Sequence, residues 1–250
     1  MLKKTFVLSL LIVLLVSCHG VIDGIYDNDK TIVLDSTLKL GFNKSDKFTG
    51  VMYLDCQSYD DWVFVDLDNL TTQTRAVPKT LSQEWDGFSG IAYLQHTDLK
   101  TMDYVEEDFV KTDTQEKPEK WHLGIHHFDV MTSGAGVLET SYTSLLDLPK
   151  SSDSFKDETF TFDEPTINVV ILDRTQMLSY YIGYQKITLN RVLSGWVKMD
   201  LSTPPPVYSS TGHVYILKFP DGKFCAMKLD DYKNSLGDKG FMTISYIYPY

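Results

Sequence analysis

The sequence HVYILKFPDGKFCAMKL, residues 213–229, contains the clearest β-hairpin pattern of this 250-residue chain. Apolar residues dominate or alternate on both sides of Pro220-Asp221-Gly222-Lys223. Proline presets φ for the first turn position, and glycine adopts the positive φ that tight turns require. The segment therefore predicts two antiparallel strands joined by a short turn.

Other segments carry the same β signal. Two apolar pieces, residues 51–54 and 62–67, are separated by a polar turn, and residues 166–172 are strongly β-branched. Residues 241–250 end the chain as an aromatic-rich strand, whereas helical periodicity allows at most a short helix at 187–193. We expect an all-β, mostly antiparallel fold: a single sandwich-type domain with few short helices.

The chain begins MLKKTFVLSLLIVLLVSC, with two lysines followed by an apolar run. This run is shorter than the roughly 20 residues of a membrane span, and it is typical of an export signal. The small residue before Cys18 resembles the lipobox of bacterial lipoproteins, and the resemblance implies that Cys18 becomes the acylated, palmitate-bearing first residue. We therefore expect a signal peptide at 1–17, a tether at 18–30 and one β domain at 31–250, held to a membrane by lipid.

The charge and the cysteines limit the partners and the redox chemistry. Removal of residues 1–17 takes away two lysines and no acid, so the net charge changes from −11 to −13. An acidic protein repels phosphate backbones, and we expect no nucleic-acid partner.

The exported Cys56 and Cys225 could form one disulfide or remain two buried thiols, and the sequence leaves both alternatives open.

Motifs for catalysis and for metal binding are weak. The sequence contains no G-x-S-x-G, no G-x-G-x-x-G and no Walker loop, so we expect a binding protein and not an enzyme. His122, His126 and His127 are close in sequence, but on a strand only His122 and His126 share a face. Ordinary hydrogen-bonded histidines are therefore favoured over a metal site.

Five segments of the chain together carry a family pattern: VMYLDCQSYDDWVFVDL (51–67), KWHLGIHHFDVMTSGAG (120–136), GWVKMDLSTPPPVY (195–208), HVYILKFPDGKFCAMKLDDY (213–232) and GFMTISYIYPY (240–250). In this order along the chain, they resemble the HmuY-like haem-binding lipoproteins. His122 and His127 depart from that family's pattern, which usually has Asp and Arg at these positions.

The resemblance implies a mostly β protein that binds haem between loops and passes it to an outer-membrane transporter. Family members ligate the iron with two histidines or two methionines, and the segment VILDRTQM aligns Met177 with the first ligand. The family position of the second ligand is closest to Leu201, which cannot bind iron, and Met199 lies two residues earlier on the same strand face. Met177 and Met199 are therefore the candidate haem ligands, and filling of the core is the alternative for each.

The resemblance also implies an apolar slot for haem that includes Tyr180, Tyr181, Trp196 and Met177. The three prolines at 204–206 end a strand and fix an extended loop beside it. The expected location is the outer membrane or cell surface of a Gram-negative bacterium. The alternative function is a surface lipoprotein of the same fold that has lost haem binding and engages a protein or another small ligand.

Overall fold

The computed structural model describes residues 38–44, 49–78, 82–84, 91–93, 95–98, 100–106, 114–173, 181–200, 202 and 207–250. The predicted signal peptide and tether lie outside these residues, and so does the predicted start of the domain at residue 31. No helix within the described residues is both long enough and apolar enough to cross a membrane.

Strands account for most of the regular structure in the described residues. One α-helix, α1 (Arg191–Ser194), and two 3₁₀ helices, Leu145–Asp147 and Ser152–Phe155, accompany them. The strands are β1 (Gly41–Lys44), β2 (Gly50–Asp55), β3 (Asp61–Asp66), β4 (Thr71–Ala76), β5 (Ser82–Glu84), β6 (Ile91–Tyr93), β7 (Gln95–Asp98), β8 (Asp103–Glu106), β9 (Leu123–His126), β10 (Asp129–Thr132), β11 (Gly136–Glu139), β12 (Glu164–Asp173), β13 (Tyr181–Leu189), β14 (Val197–Asp200), β15 (Val207–Ser210), β16 (Val214–Lys218), β17 (Phe224–Lys233) and β18 (Lys239–Ile247).

Three sheets form the body of the domain, and every pairing among the described strands is antiparallel. The large sheet has the order β1-β2-β18-β17-β16-β11, the middle sheet β10-β9-β3-β4, and the outer sheet β12-β13-β7-β8. The hairpins β14–β15 and β5–β6 form two further small sheets. The predicted all-β, antiparallel fold class is confirmed.

The predicted hairpin at 213–229 is present as β16 and β17. The backbone N–H of Gly222 donates to the carbonyl of Phe219 at 3.0 Å, and Gly222 has φ +87°. The carboxylate of Asp221 also accepts from the backbone N–H of Lys223 at 3.0 Å. The turn therefore uses the proline-to-glycine segment as the sequence predicts.

Strand β3 is buried on both faces, because the middle sheet lies between the other two. Val63 and Val65 belong to the core shared with the large sheet, whereas Trp62 and Phe64 pack towards the outer sheet. The indole N–H of Trp62 donates to the side-chain oxygen of Gln185 at 2.9 Å, which links β3 to β13. Burial on both faces explains the uninterrupted apolar run at 62–65.

The predicted short helix at 187–193 is only partly correct. Strand β13 continues to Leu189, and α1 begins at Arg191. Asn190 is fully buried and caps the helix, since its side-chain oxygen accepts from the backbone N–H of Leu193 at 3.1 Å. The change from strand to helix therefore occurs at the cap residue.

Candidate functional site

A small cavity lies between two β-hairpins, β12–β13 and β14–β15, and we call it the hairpin cavity. Its free volume of about 20 Å³ admits a water-sized group and nothing larger. One wall comes from β12, another from β15 and β17, and the base from the turn between β9 and β10. The lining residues are Tyr59, His126, His127, Phe128, Asp129, Val169, Ile171, Tyr208 and Tyr232.

Met199, one of the two predicted haem ligands, lies on β14 and is not among the residues that line the cavity. It pairs directly with Tyr208 across the β14–β15 hairpin, and directly paired residues of antiparallel strands project from the same face. Tyr208 lines the hairpin cavity, so Met199 projects from the cavity-facing side of the hairpin. The side chain is 40 % exposed, which is inconsistent with a role as core filler.

Most of the other predicted ligand-site residues fall outside the described part of the chain. Met177 lies between β12 and β13 in chain order, and Leu201 and the prolines 204–206 lie between β14 and β15, all outside the described residues. Tyr180, the side chain of Tyr181 and the lipidation residue Cys18 are also outside them.

Trp196 was predicted to line the haem slot, but it is a core residue that anchors the β14–β15 hairpin. It is fully buried, and its indole N–H donates to the carbonyl of Phe128 at 3.1 Å. Two further bonds join the same segment to β10: Asn190 N–H donates to the Val130 carbonyl, and Val130 N–H donates to Ser194 Oγ, both at 2.8 Å. The segment between the two hairpins is therefore fixed to the turn at the base of the cavity.

His126 is a buried neutral imidazole at the base of the cavity. Its Nε2 lies 2.9 Å from the carbonyl oxygen of Tyr59, and since a carbonyl can only accept, Nε2 carries the proton. Its Nδ1 has no hydrogen-bond partner among the described residues. Burial lowers the pKa of His126 to about 4, so the ring is uncharged at neutral pH.

His127 occupies the turn that joins β9 to β10 and has φ +55°, a left-handed conformation that few non-glycine residues adopt. Its ring centroid lies 3.7 Å from that of Tyr59, and the rings are tilted by 37°. The pair His127-Phe128 lacks the glycine or asparagine that usually marks such a turn, so the turn could not be predicted from the sequence.

Three aromatic rings form the opposite side of the cavity. Tyr208 and Tyr232 have ring centroids 5.6 Å apart, and Phe128 lies 5.9 Å from Tyr232 and 6.3 Å from Tyr208. These separations fall within the range of favourable aromatic pairs.

His122 belongs to a different cluster, at the end of the domain where β3 meets β4. Potential metal-ligand atoms of Asp66, Asp68 and His122 lie within 4.8 Å of one another. However, the ammonium group of Lys223 donates to Asp68 at 2.7 Å, and the hydroxyl of Tyr248 donates to the same oxygen at 2.9 Å. Burial lowers the pKa of His122. The cluster is therefore a hydrogen-bonded network that already contains its cation, and it does not include His126 or His127.

Cys56 and Cys225 are two buried free thiols, so the alternative of a disulfide is not realised. The backbone N–H of Cys56 bonds to the carbonyl of Gly240, whereas Ala226, next to Cys225, pairs with Ile247. Seven residues of β18 separate these contacts by about 23 Å, and a disulfide needs Cα atoms roughly 6 Å apart. Burial raises the pKa of both thiols.

Comparisons with known proteins agree with this fold. The family model described as HmuY protein matches residues 58–246. A Bacteroides vulgatus protein, provisionally named as HmuY-like and haem-binding, is 30 % identical with a TM-score of 0.65, covering 85 % of this chain and 99 % of its own. A Bacteroides fragilis protein, provisionally named a lipoprotein, is 28 % identical with a TM-score of 0.64, covering 87 % and 99 %.

A third similar structure is the apo HmuY analogue of Tannerella forsythia, 19 % identical with a TM-score of 0.57, covering 81 % of this chain and 96 % of its own. At that identity the likeness concerns the fold alone. No curated protein matches the chain.

Proposed function

Because the chain belongs to the HmuY family, we propose that it is a lipid-anchored protein that binds haem and passes it to an outer-membrane transporter. The observation that carries the proposal is the hairpin cavity, whose walls come from β12 and from the β14–β15 hairpin. In the sequence, Met177 falls between β12 and β13, and Met199 belongs to β14. The role is binding and transfer, without catalysis.

The chemistry of the cavity suits a haem. Tyr208, Tyr232 and Phe128 provide aromatic surface for a planar ring, and Met199 brings a thioether to the same face as Tyr208. Thioether sulfur is an established axial ligand of haem iron. Met177 is the proposed first axial ligand and Met199 the proposed second.

The hairpin cavity must widen before it can hold a haem. A free volume of about 20 Å³ is far too small for a porphyrin, so the hairpins β12–β13 and β14–β15 separate when haem enters. Met199 and Val207 are 40 % and 51 % exposed, whereas Val197 and Tyr208 of the same β14–β15 hairpin are buried, so this separation costs some core packing.

The proposed location is the outer membrane or cell surface of a Gram-negative bacterium, with acylated Cys18 as the anchor. The lipobox-like sequence before Cys18 supports this assignment. The similar Bacteroides fragilis protein, provisionally named a lipoprotein, supports it as well.

The test is a titration of the purified protein with haemin, recorded in the Soret region. We expect a new Soret band with one equivalent of haemin. Met177→Leu and Met199→Leu keep the apolar bulk and remove the sulfur, so each should shift the low-spin bands and weaken binding. Met102→Leu is the matched control, since Met102 is 72 % exposed in the turn between β7 and β8 and does not line the cavity.

A second candidate function is an HmuY-fold lipoprotein that does not bind haem and engages a protein or another small ligand. Leu201 favours it, because it stands nearest the family position of the second ligand. Absence of any Soret change in the unmutated protein would exclude haem binding and favour this alternative. If haem binds and Leu201→Met tightens binding, the family's second ligand position still lies beside the haem and lacks only a side chain that can bind iron.

A further inference from the structure

The loop between β2 and β3 lies between the hairpin cavity and a much larger one. Tyr59 of this loop lines the hairpin cavity, whereas Gln57 and Ser58 line a second cavity, of about 430 Å³, between β1–β2 and β3–β4. We call this second cavity the rear cavity. Val63 and Thr74, which pair directly across β3 and β4, form part of its wall. The loop therefore has free space on one side and a nearly closed cavity on the other.

This loop is anchored at its two ends. At the first end, the backbone N–H of Cys56 donates to the carbonyl of Gly240 at 2.8 Å. At the second end, the carbonyl of Asp60 accepts from the backbone N–H of Val77 at 2.7 Å. Residues 58 and 59 lie between these anchors, so they can shift while both bonds stay intact.

Tyr59 contacts two histidines that are held in unfavourable states at the base of the hairpin cavity. The ring of His127, 3.7 Å from that of Tyr59, belongs to a residue with φ +55°, a strained value for a residue with a side chain. His126 donates from Nε2 to the Tyr59 carbonyl, and its buried Nδ1 has no hydrogen-bond partner among the described residues, which also costs free energy. Backbone strain of this kind clusters at ligand clamps and switch regions.

We infer that Tyr59 is a gate at the base of the hairpin cavity. When a flat ligand enters, the Tyr59 ring leaves His127, and residues 58 and 59 shift towards the rear cavity while the anchors at Cys56 and Asp60 hold. The rear cavity makes this movement feasible, because a close-packed interior would offer the loop no space. This inference rests on the proposed function and adds a step that controls the rate of ligand entry.

The first test measures haemin association and dissociation separately in Tyr59→Leu. Stopped-flow absorbance in the Soret region gives the association rate, and transfer of haemin to an excess of a haem-scavenging protein gives the dissociation rate. We expect association to be about five-fold faster and dissociation unchanged, because the aromatic contact that breaks before entry is absent. Tyr59→Phe keeps the ring and is the matched control, with association as in the unmutated protein.

The second test fills the space behind the loop. Thr74→Leu adds bulk to an exposed side chain that lines the rear cavity, and it should slow haemin association about five-fold or more. Gln73→Leu is the matched control, since Gln73 is also exposed on β4 but pairs with Phe64, on the opposite face of the middle sheet. It should associate with haemin as the unmutated protein does. Circular dichroism checks that each variant is folded.

The outcomes separate the gate from the proposed function. Haemin binding with equal association rates in Tyr59→Leu and the unmutated protein would overturn the gate and leave the proposed function standing. Faster dissociation with unchanged association would also overturn it, because Tyr59 would then only hold the bound ligand. Equal rates in Thr74→Leu and Gln73→Leu would exclude the rear cavity as the space that the loop needs. If neither the unmutated protein nor Tyr59→Leu binds haemin, the proposed function and the gate are both refuted.

Discussion

His126 should make the stability of the domain depend on pH between about 6.5 and 4. Below pH 6.5 an unfolded histidine binds a proton, whereas the buried ring of the folded protein stays neutral until its pKa of about 4. The folded pKa is lower than the unfolded one, so stability is complete above pH 6.5 and decreases as the pH falls towards 4. A shift of 2.5 units corresponds to about 3 kcal/mol over the whole interval, and to about 2 kcal/mol at pH 5.

The perturbation is His126→Gln. The amide N–H of glutamine can donate to the Tyr59 carbonyl as Nε2 of His126 does, but glutamine does not titrate. Urea unfolding followed by tryptophan fluorescence at pH 7.5, 6.0 and 5.0 gives the free energy of unfolding of both proteins. His122 also has a lowered pKa, but it is present in both proteins and cancels in the difference.

We expect the stability of the unmutated protein to decrease by about 2 kcal/mol relative to His126→Gln between pH 7.5 and pH 5. Ile125→Val is the control, since it removes one methyl group from a fully buried neighbour and its cost of about 1 kcal/mol should be equal at each pH. If the difference between the unmutated protein and His126→Gln is constant with pH, His126 is not neutral in the fold and the reasoning fails.

Three further predictions concern the anchor, the thiols and a close contact. Cys18→Ala should abolish incorporation of a fatty-acid analogue, and continued labelling would exclude Cys18 as the acylation site. Cys56 and Cys225 should resist alkylation in the native protein and react completely in denaturant without a reductant; a residue that stays protected in denaturant would indicate a disulfide. Gly50→Ala should lower the free energy of unfolding by about 1–3 kcal/mol, because a Cβ would lie 2.2 Å from the Tyr246 ring; unchanged thermal unfolding would contradict this.

The strands that the sequence predicted best are those fixed by local chemistry. The β16–β17 hairpin depends on Pro220, Asp221 and Gly222, which are adjacent in sequence and specify the turn by themselves. The packing order of the three sheets could not be predicted from local sequence in this way. The apolar run of β3 indicated burial, but the partner of Trp62 is Gln185, 123 residues away, and no local pattern identifies it.

The candidate site was predictable only in part. The sequence selected Met199 and left ligand and core filler as alternatives, because exposure depends on which face of the β14–β15 hairpin is covered. Trp196 was assigned to the ligand slot, since an aromatic residue beside a motif does not reveal the Phe128 carbonyl that its N–H meets. The contact between His127 and Tyr59 depends on a turn without the usual turn residues, and no sequence signal marked it.

Three hydrogen bonds fix residues 190–196 to β10 and to Phe128 in the turn before it, at the point where the two hairpins meet. Asn190, Ser194 and Trp196 secure the ends of both hairpins that meet at α1, and we expect this segment to stay fixed when the hairpins separate. In amide hydrogen exchange, protection should therefore be highest at Val130 and its partners and decrease with distance from this segment. A ligand that holds the two hairpins together would slow exchange in their outer parts and leave this segment unchanged.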